Sequence, residues 1–424
     1  MRKMKDSGIE WIGQIPDDWN ILPTKRFFRH TKTLAGEQVD SYERLALTMN
    51  GVIKRSKDDS EGLQPEKFDT YQVLHENELV FKLIDLANVK TSRVGLSLYN
   101  GIVSPAYIVL INDSKDNRFF YYYFISMYYN EIFNNLGDNG VRSSLNAQDL
   151  LNVPMVNIPN DLQIRIADFL DDKCGKIDRY IEKQQQIIDK LKEYKQAVIT
   201  EAVTKGLNPD VPMKDSGIEW IGMIPEHWDI PEIKYLVRIA SGGTPDRNHP
   251  EYWNGNIPWI KTGELQNDII TNAEEYITEE GLNNSSAQVF NINTILVAMY
   301  GQGKTRGMTA LLKTPASTNQ ACAGLTVTNS NVQIEYLWQC LIGAYDAIRS
   351  EAAGSGQPNL SATLIGSFHI ALPPIEEQGL IVEYIKDRTV EIKSTIHKAE
   401  KLLEKLTEYK KSLIYEAVTG KMEV

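Results

Sequence analysis

Apolar residues recur at intervals of three and four positions over two long stretches of the chain. The first stretch spans residues 163–204 and the second spans residues 378–419, and neither contains a proline. This spacing places side chains on one face of an α-helix, and at about 1.5 Å per residue each stretch would form a rod of roughly 60 Å. A rod with one apolar face needs a partner, so the pattern predicts that the two rods pair with each other. The apolar positions are Leu170, Ile177, Ile181, Ile188, Leu191 and Val198 in the first stretch, and Ile385, Ile392, Ile396, Leu403, Leu406 and Leu413 in the second.

Shorter apolar runs outside these stretches predict β-strands. Runs such as residues 106–111 and 294–298 have the length of strands, and turns rich in glycine, asparagine and serine separate such runs. Residues 118–129 are dense in aromatic side chains at helical spacing. Such a segment could offer a platform for stacking nucleic-acid bases, but this density is more typical of a buried core helix. Strands and helices together predict an α+β fold.

The chain also contains an internal duplication. Residues 4–13 recur without change as residues 213–222, and residues 163–204 align without gaps on residues 378–419 with sixteen identities in forty-two positions. The segments between these shared ends differ in sequence. Two similar frames around two dissimilar centres suit a protein that binds one partner twice and reads two different ligands.

Composition and charge narrow the class of protein. The 424 residues, 42% of them hydrophobic, predict a globular chain of two to four domains. No apolar run is long enough to span a membrane and the start does not resemble a signal peptide, so we expect a cytoplasmic protein. The cysteines Cys174, Cys322 and Cys340 lie far apart, which indicates neither a disulfide framework nor a metal site. The net charge of −11 argues against a nucleic-acid partner, although a local basic patch can exist on an acidic protein.

Several short motifs resemble those of a known family. They are Trp-Ile-Gly-x-Ile-Pro-x-x-Trp at residues 11–19 and 220–228, Ser-Gly-Gly-Thr-Pro at 241–245, Ile-Pro-Trp-Ile at 257–260, and Leu-Pro-Pro-Ile-Glu-Glu-Gln at 372–378. With the duplicated order, the chain resembles the specificity subunit of type I restriction-modification systems over nearly its whole length. The first half departs from this pattern. Residues 158–163 lack the second proline and the glutamate before the glutamine, and the first half has no Ser-Gly-Gly-Thr-Pro.

The resemblance implies an α+β architecture with pseudo-twofold duplication. Two mixed α/β target-recognition domains would be separated by two long conserved helices that form an antiparallel coiled coil. The expected segments are a first recognition domain at residues 1–160, a first spacer helix at 161–206, a linker at 207–212, a second recognition domain at 213–375 and a second spacer helix at 376–424. The glycine and two prolines of residues 206–212 independently favour a break at this linker.

The resemblance also implies a function and a set of partners. Each recognition domain would read one half of a bipartite, asymmetric site in double-stranded DNA, and the helices would set the unread spacer. The repeated parts would dock two copies of a modification subunit that methylates adenine N6, and restriction subunits that act as translocase and nuclease would join them. The chain itself would be noncatalytic and need no cofactor or metal, because S-adenosylmethionine, ATP and Mg²⁺ would belong to the partner subunits.

One polar loop allows two interpretations. The apolar run at residues 295–298 leads into Gly303-Lys304-Thr305, as in a nucleotide-binding loop, but Ala298 occupies the position of the required first glycine and Gly307 weakens any helix that follows. The first half has Lys90, Thr91 and Arg93 at the matching place in a loop without glycine. A loop that contacts a DNA backbone needs only cations and hydroxyls, so we predict that these residues meet DNA phosphates.

The residues predicted to contact DNA share polar side chains on loops of the two dissimilar centres. Gln302 could form paired hydrogen bonds with an adenine edge, and Tyr300 could pack or stack beside it. In the second half the candidates are Tyr300, Gln302, Lys304, Thr305 and Arg306, then Lys261, Thr262, Gln357 and Asn359; in the first half they are Lys90, Thr91 and Arg93, then Asn50, Lys54, Arg55, Arg142 and Ser143.

Two other classes of protein remain as alternatives. An ATPase that uses Lys304 would bind nucleotide as an isolated chain. A noncatalytic coiled-coil scaffold would pair two protein ligands without reading DNA, and the acidic net charge supports this second alternative.

Overall fold

The chain folds into two compact units, each of which takes part of both long helices. The computed structural model describes residues 2–59, 68–84, 86, 93–136, 144–301, 303–351 and 359–424. The first unit comprises Met1–Gln185 and Glu400–Val424, and the second comprises Gln186–Ala399. The five segments expected from the sequence are defined differently from these units and stay a prediction.

The first unit contains short antiparallel strands and helices, and it also takes the end of a long helix that begins in the second unit. Its strands are Met4–Asp6 (β1), Gln14–Pro16 (β2), Asn20–Pro23 (β3), Arg29–His30 (β4), Leu45–Thr48 (β5), Gly51–Lys54 (β6), Gln72–Leu74 (β7), Leu79–Lys82 (β8), Arg93–Leu96 (β9), Gly101–Val103 (β10), Ile108–Ile111 (β11) and Pro154–Asn157 (β12). Its helices are Arg118–Tyr129 (α1), Ala147–Asn152 (α2) and the first part of Asn160–Lys205 (α3). The main sheet has the order β4-β11-β8-β9, and β12 pairs with β3.

The aromatic helix α1 forms the centre of the first unit's core. Phe119, Tyr123 and Phe124 are almost fully buried, and Phe81 on β8 meets Phe124 edge to face at 4.9 Å. The Tyr123 hydroxyl donates to the carbonyl oxygen of Pro154 at 2.9 Å. The prediction that these aromatics form a core is therefore confirmed, and they are not exposed for stacking with bases.

The second unit has a larger mixed sheet. Its strands are Met213–Asp215 (β13), Met223–Pro225 (β14), Val237–Ser241 (β15), Trp253–Ile260 (β16), Asp268–Ile270 (β17), Glu275–Ile277 (β18), Ile295–Ala298 (β19), Thr309–Leu312 (β20), Ser317–Thr318 (β21) and Cys322–Val327 (β22). Its helices are Glu279–Asn283 (α4), Ile334–Gly343 (α5), Tyr345–Ser350 (α6), Ala362–Ser367 (α7) and the first part of Ile375–Val418 (α8). One sheet has the order β15-β22-β19-β20-β17 and another the order β18-β16-β21.

The repeated sequences form the same local structure in both units. The identical ten-residue segments begin hairpins of identical register, with Met4 opposite Pro16 and Met213 opposite Pro225. The motif Trp-Ile-Gly-x-Ile-Pro-x-x-Trp, called here the lead motif, ends in a buried tryptophan in both units. This residue is Trp19 in the first unit and Trp228 in the second. Local sequence therefore determines these hairpins regardless of the centre that follows.

The two rods predicted from apolar spacing are helices. Helix α3 has 46 residues and α8 has 44, and every residue predicted for their apolar faces is buried or half-buried. In the first unit, the Lys410 ammonium on α8 donates to both carboxylate oxygens of Asp178 on α3, at 2.6 and 2.8 Å. In the second unit, Val203 on α3 and Ile385 on α8 belong to one apolar core.

Within the described residues, no helix is long and apolar enough to cross a membrane. Over the same residues, no group of three or more histidine, cysteine, aspartate or glutamate side chains could hold a metal ion. The three cysteines are buried free thiols.

Candidate nucleic-acid interface

The loop that contains Gly303-Lys304-Thr305 is the tip of an antiparallel hairpin. It joins β19 to β20, with Val297 opposite Thr309, and the Gly307 amide donates to the Ala298 carbonyl oxygen at 2.8 Å. The segment after the lysine is thus a strand. A nucleotide-binding loop needs a helix N-terminus at this place to face the phosphates, so the structure contradicts the nucleotide-binding interpretation.

Helix α6 holds this hairpin loop from one side through main-chain carbonyls. The Arg349 guanidinium donates to the carbonyl oxygens of Arg306 at 2.7 Å and Gly303 at 2.9 Å, and the Tyr345 hydroxyl donates to that of Lys304 at 2.6 Å. A side chain at position 307 would meet Arg349 Cγ at 3.1 Å, and Gly307 has a φ of +83°. The glycine therefore permits both the turn and the close approach of the arginine.

The hairpin loop presents its polar side chains outward. Lys304 is exposed and Tyr300 is 41% exposed, whereas Thr305 and Arg306 are half-buried. Gln302 lies outside the described residues. The structure therefore brings four of the five leading second-half candidates onto one loop with an exposed cation.

The segment at residues 319–321, which sequence reasoning missed, connects this loop to two others. The Met299 amide donates to the Ala321 carbonyl oxygen at 2.8 Å, and the Asn319 amide donates to that of Ile260 at 3.2 Å. The Thr244 hydroxyl donates to the side-chain carbonyl oxygen of Gln320. Residues 319–321 therefore connect the hairpin loop, the segment following β16 and the segment following β15.

The Ser-Gly-Gly-Thr-Pro motif makes this close approach possible. A side chain at position 242 would meet the Thr318 carbonyl oxygen at 2.2 Å, and one at position 243 would meet the Ala287 amide nitrogen at 2.3 Å. The motif was noticed for its family resemblance, and the structure gives its physical reason. It also positions Thr244, which belongs to the motif but was not predicted to contact DNA.

Lys261 and Thr262 line one cleft with Thr244 and Gln320, but the lysine is already paired. Its ammonium lies 2.9 Å from Glu274 and 3.0 Å from Glu275, and its hydrogen bonds to these two carboxylates raise its pKa. Glu275 also pairs with Arg247 at 2.6 Å, and the Arg247 guanidinium lies over the Trp253 ring at 3.6 Å. Any DNA phosphate would have to compete with these carboxylates for Lys261.

The remaining second-half candidates lie around residues 357–359. Asn359 is exposed and directly precedes Leu360, whose amide donates to the Met299 carbonyl oxygen at 2.9 Å. Asn359 is therefore a neighbour of the hairpin loop, while Gln357 lies outside the described residues.

In the first unit the structure brings together part of the predicted set. Asn50 is exposed at the turn between β5 and β6, and Lys54 ends β6 with its ammonium 2.6 Å from Glu43. The hydrogen bond to Glu43 raises the pKa of Lys54. Arg55 is half-buried and its Nε lies 2.6 Å from Asp59. The candidates Lys90, Thr91, Arg142 and Ser143 lie outside the described residues.

The strand register identifies a different second-half counterpart for Arg93 than the sequence spacing does. Arg93 begins β9 opposite Lys82. Asn77 and Asn293 both have positive φ and precede equivalent strands, β8 and β19. With Asn77 aligned on Asn293, Lys82 corresponds to Ala298 and β9 corresponds to β20. Arg93 lies opposite Lys82, and Met308 follows in the register opposite Ala298, so Arg93 corresponds to Met308 instead of Arg306. Matching the loops by spacing alone therefore placed Arg93 two residues away from its structural counterpart.

Comparison with known proteins agrees with this architecture. Residues 225–405 match the family model of the type I restriction modification DNA specificity domain. The MjaIX specificity subunit of Methanocaldococcus jannaschii is 31% identical over 195 residues, which are 44% of this chain and 43% of that protein, so the match spans less than half of that relative. The MjaVIII specificity subunit of the same organism is 22% identical over 97% of this chain and 94% of that protein.

A solved structure described as the basis of complex assembly and conformational transition of the type I R-M system shares the fold. Its TM-score is 0.67 with 12% sequence identity, and the match covers 96% of this chain and 99% of that one. The α+β fold is therefore confirmed. The family match and the two relatives confirm the resemblance to type I restriction-modification specificity subunits seen in the sequence, and the similarity to the MjaVIII subunit extends over nearly the whole chain.

Proposed function

We propose that this chain is the noncatalytic DNA-recognition subunit of a type I restriction-modification complex, in which each centre reads one half of a bipartite, asymmetric site. The observation that carries the proposal is that one frame is built twice around two different polar surfaces. The second unit offers the exposed side chains of Tyr300, Lys304 and Gln320, whereas the first unit offers the exposed Asn50 and Lys54 and the half-buried Arg55. Different side chains in equivalent frames suit two different half-sites.

Equivalent hydrogen bonds support a pseudo-twofold frame. Gln163 donates its side-chain amide to the Ile158 carbonyl oxygen at 3.0 Å, and Gln378 donates to that of Pro373 at 2.9 Å. Gln378 lies 215 residues after Gln163, and Pro373 lies 215 residues after Ile158. The start of each long helix is thus fixed in the same way, although the first half lacks part of the motif.

The two long helices would pair as an antiparallel coiled coil that sets the spacer. Asp178 meets Lys410 in the first unit, and in the second unit Lys195 and Lys393 are close enough for the charge of Lys393 to lower the pKa of Lys195. Asp178 lies nearer the start of α3 and meets Lys410 nearer the end of α8, whereas Lys195 lies nearer the end of α3 and would meet Lys393 nearer the start of α8. Antiparallel helices require this reversed order. A pair of rigid helices would fix the separation of the two half-sites.

Each long helix carries an equivalent exposed apolar pair, which suits two copies of one partner. Ile187 and Tyr194 on α3 are 44% and 56% exposed, and Leu402 and Tyr409 on α8 are 44% and 57% exposed. Members of each pair are seven residues apart, so they lie on one helix face, and the offset of 215 residues relates the pairs. We assign these faces to two copies of the adenine-N6 methyltransferase subunit, which would carry S-adenosylmethionine. Restriction subunits with ATP and Mg²⁺ would join the resulting complex.

The alternative function is a coiled-coil scaffold that pairs two protein ligands without reading DNA. The exposed apolar pairs fit that role too, and the net charge of −11 favours it. The two functions differ in whether the complex selects a DNA sequence.

A genome-wide map of N6-methyladenine tests the proposal. The source strain is compared with the same strain lacking this gene. We expect the loss of one motif that consists of two short half-sites around a fixed gap. If the strain with the gene methylates a split motif that the deletion leaves unchanged, the recognition function is wrong for this chain. If purified complex with its modification subunits binds all DNA sequences equally, the scaffold is favoured.

A further inference from the structure

We propose that a cationic cleft on the first unit, formed by Arg44, Lys54, Arg55 and Lys57, binds a backbone phosphate of the DNA. This inference rests on the proposed recognition function and adds a specific contact to it. Arg44 and Lys57 were not among the residues predicted from sequence.

The cleft has the size and lining of an anion site. It encloses about 440 Å³ and is lined by the four cations together with Tyr42, Glu43 and Ser56. Two of the four cations are paired with carboxylates, Lys54 with Glu43 and Arg55 with Asp59, each at 2.6 Å, which leaves the positive charges of Arg44 and Lys57 in excess. Such a concentration of positive charge on an acidic chain indicates an anionic ligand.

Arg44 is the strongest single indication. Its side chain is buried, with 7% exposure, and within the described residues no carboxylate pairs with it. The guanidinium donates to the Ser56 carbonyl oxygen at 3.1 Å and lies 5.3 Å from the centre of the Phe68 ring. A carbonyl and a ring only partly offset the desolvation of a buried charge. An anion in the cleft would complete its environment.

The backbone of the surrounding strands holds this arginine in place. The Arg55 amide donates to the Arg44 carbonyl oxygen at 2.9 Å, which ties together the two chain segments that line the cleft. A side chain at position 101 would meet the Glu43 carbonyl oxygen at 2.5 Å, so Gly101 permits strand β10 to approach the Arg44 segment closely. The position of Arg44 in the cleft is therefore fixed by the fold.

Tyr107 shows that the arginines converge. Burial and the neighbouring Tyr71 raise the pKa of Tyr107, whereas the charges of Arg93, Arg44 and Arg55 act on it in the opposite direction. The charges of Arg44 and Arg55, which both line the cleft, therefore act on the same phenol. Arginine forms paired hydrogen bonds with phosphate oxygens, and a tyrosine hydroxyl is a further donor to the DNA backbone.

A backbone phosphate fits this site better than a base edge. The lining offers many cationic donors, and the carboxylate it contains is already paired, whereas base readout generally uses a few donors and acceptors in a fixed pattern. A phosphate contact would position the first unit on the duplex without selecting sequence.

The test uses the complex with its modification subunits and measures affinity for the methylated motif over a range of salt concentrations. Arg44→Gln and Lys57→Gln are compared with Lys115→Gln, which removes one charge from an exposed position outside the cleft. Each cleft substitution should weaken binding and reduce the slope of log affinity against log salt by about 0.9. The loss of affinity between 50 and 200 mM salt should then be about 3-fold smaller per contact removed. Lys115→Gln should leave the slope unchanged.

Three outcomes separate the possibilities. An unchanged slope in both cleft variants, with folding verified by circular dichroism, would overturn the phosphate assignment while sequence selection by the wild type remains intact. A relaxed first half-site at unchanged slope would also overturn it and would indicate base readout. A wild-type complex without sequence preference would instead show that the recognition function itself is wrong. Lys57→Gln keeps the test decisive if the buried Arg44 substitution prevents folding.

Discussion

Lys304 differs from Lys54 and Lys261 because no carboxylate among the described residues holds it. Within the part of the chain that the structure describes, its ammonium makes no ion pair, whereas Lys54 is paired with Glu43 and Lys261 with Glu274 and Glu275. A lysine that must first leave a carboxylate gains less free energy on binding a phosphate than a lysine whose ammonium is only hydrated. The sequence shows all three as equivalent loop lysines, and only the structure distinguishes them.

We therefore expect Lys304→Gln to weaken DNA binding by the complex more than Lys261→Gln does. If Lys304 contacts a phosphate, the salt slope should fall by about 0.9 and the recognised motif should stay the same. For Lys261→Gln the expected change in slope is smaller, since Glu274 and Glu275 already neutralise this lysine. Equal effects of the two substitutions would contradict this ranking. Fluorescence anisotropy at several salt concentrations provides the measurement.

At the scale of elements, the two lead motifs form the same hairpin, but the tryptophans that end them differ in their hydrogen bonds. In the second unit the Trp228 indole donates to a carboxylate oxygen of Glu377 at 3.0 Å, and His227 lies 2.7 Å from the other oxygen. Leu162 occupies the equivalent position in the first unit, and the buried indole nitrogen of Trp19 has no hydrogen-bond partner among the described residues. The missing glutamate noticed in the sequence thus has a specific structural consequence.

Glu377→Leu should lower the free energy of unfolding of the second unit by about 1–3 kcal/mol, because it leaves the buried Trp228 N–H unsatisfied. The reverse change, Leu162→Glu, supplies an acceptor near Trp19 but loses apolar contact, so we expect little net change in the first unit. Urea denaturation of both variants, followed by tryptophan fluorescence, measures the difference. A neutral Glu377→Leu would show that this hydrogen bond is not important for stability.

The long helices contain a second contrast between equivalent positions. Burial lowers the pKa of Lys410, but its hydrogen bond to Asp178 raises it, and the resulting pKa lies above 10.5. For Lys195, which is equivalent to Lys410 by the 215-residue offset, burial and the charge of Lys393 lower the pKa below 10.5. The charged form of Lys410 therefore stabilises the first unit, whereas the charged form of Lys195 destabilises the second.

We expect Lys410→Met to lower the free energy of unfolding by about 1 kcal/mol and Lys195→Met to raise it by a similar or smaller amount near pH 8. The contribution of Lys410 is fully present below pH 10.5 and is lost as the pH rises through its higher folded-state pKa. The penalty at Lys195 likewise disappears above pH 10.5. Both differences should thus shrink at pH 11.5 in urea denaturation followed by circular dichroism. Changes of the same sign would contradict the assigned roles.

At the scale of the whole molecule, the equivalent apolar pairs on α3 and α8 predict how many partner copies bind. Tyr194→Lys and Tyr409→Lys should each remove one modification subunit, since a charge on that face opposes apolar docking. The double substitution should remove both. Native mass spectrometry of the reconstituted complex counts the copies. Tyr235→Lys, at a tyrosine that is 65% exposed and outside both helices, serves as control.

Local patterns in the sequence predicted the elements, but not the contacts that assemble the surfaces. The helical spacing of the rods and the aromatic density of residues 118–129 were sufficient to predict these helices, because such patterns depend on residues within one element. Arg44 could not be found in this way, since its burial depends on strands that are distant in sequence. Gln320 was missed because its neighbour Thr244 is 76 residues away.

The support of the hairpin loop by α6 has a consequence for engineering. Arg349 and Tyr345 hold the loop through the main-chain carbonyls of Gly303, Lys304 and Arg306, and every residue type provides such a carbonyl. Side chains at positions 304–306 can therefore be randomised without removing these hydrogen bonds. A library at these positions, with Gly307, Tyr345 and Arg349 kept constant, should yield folded variants with altered target preference. The loop is therefore a place where side chains can vary while the hydrogen bonds that support it stay the same.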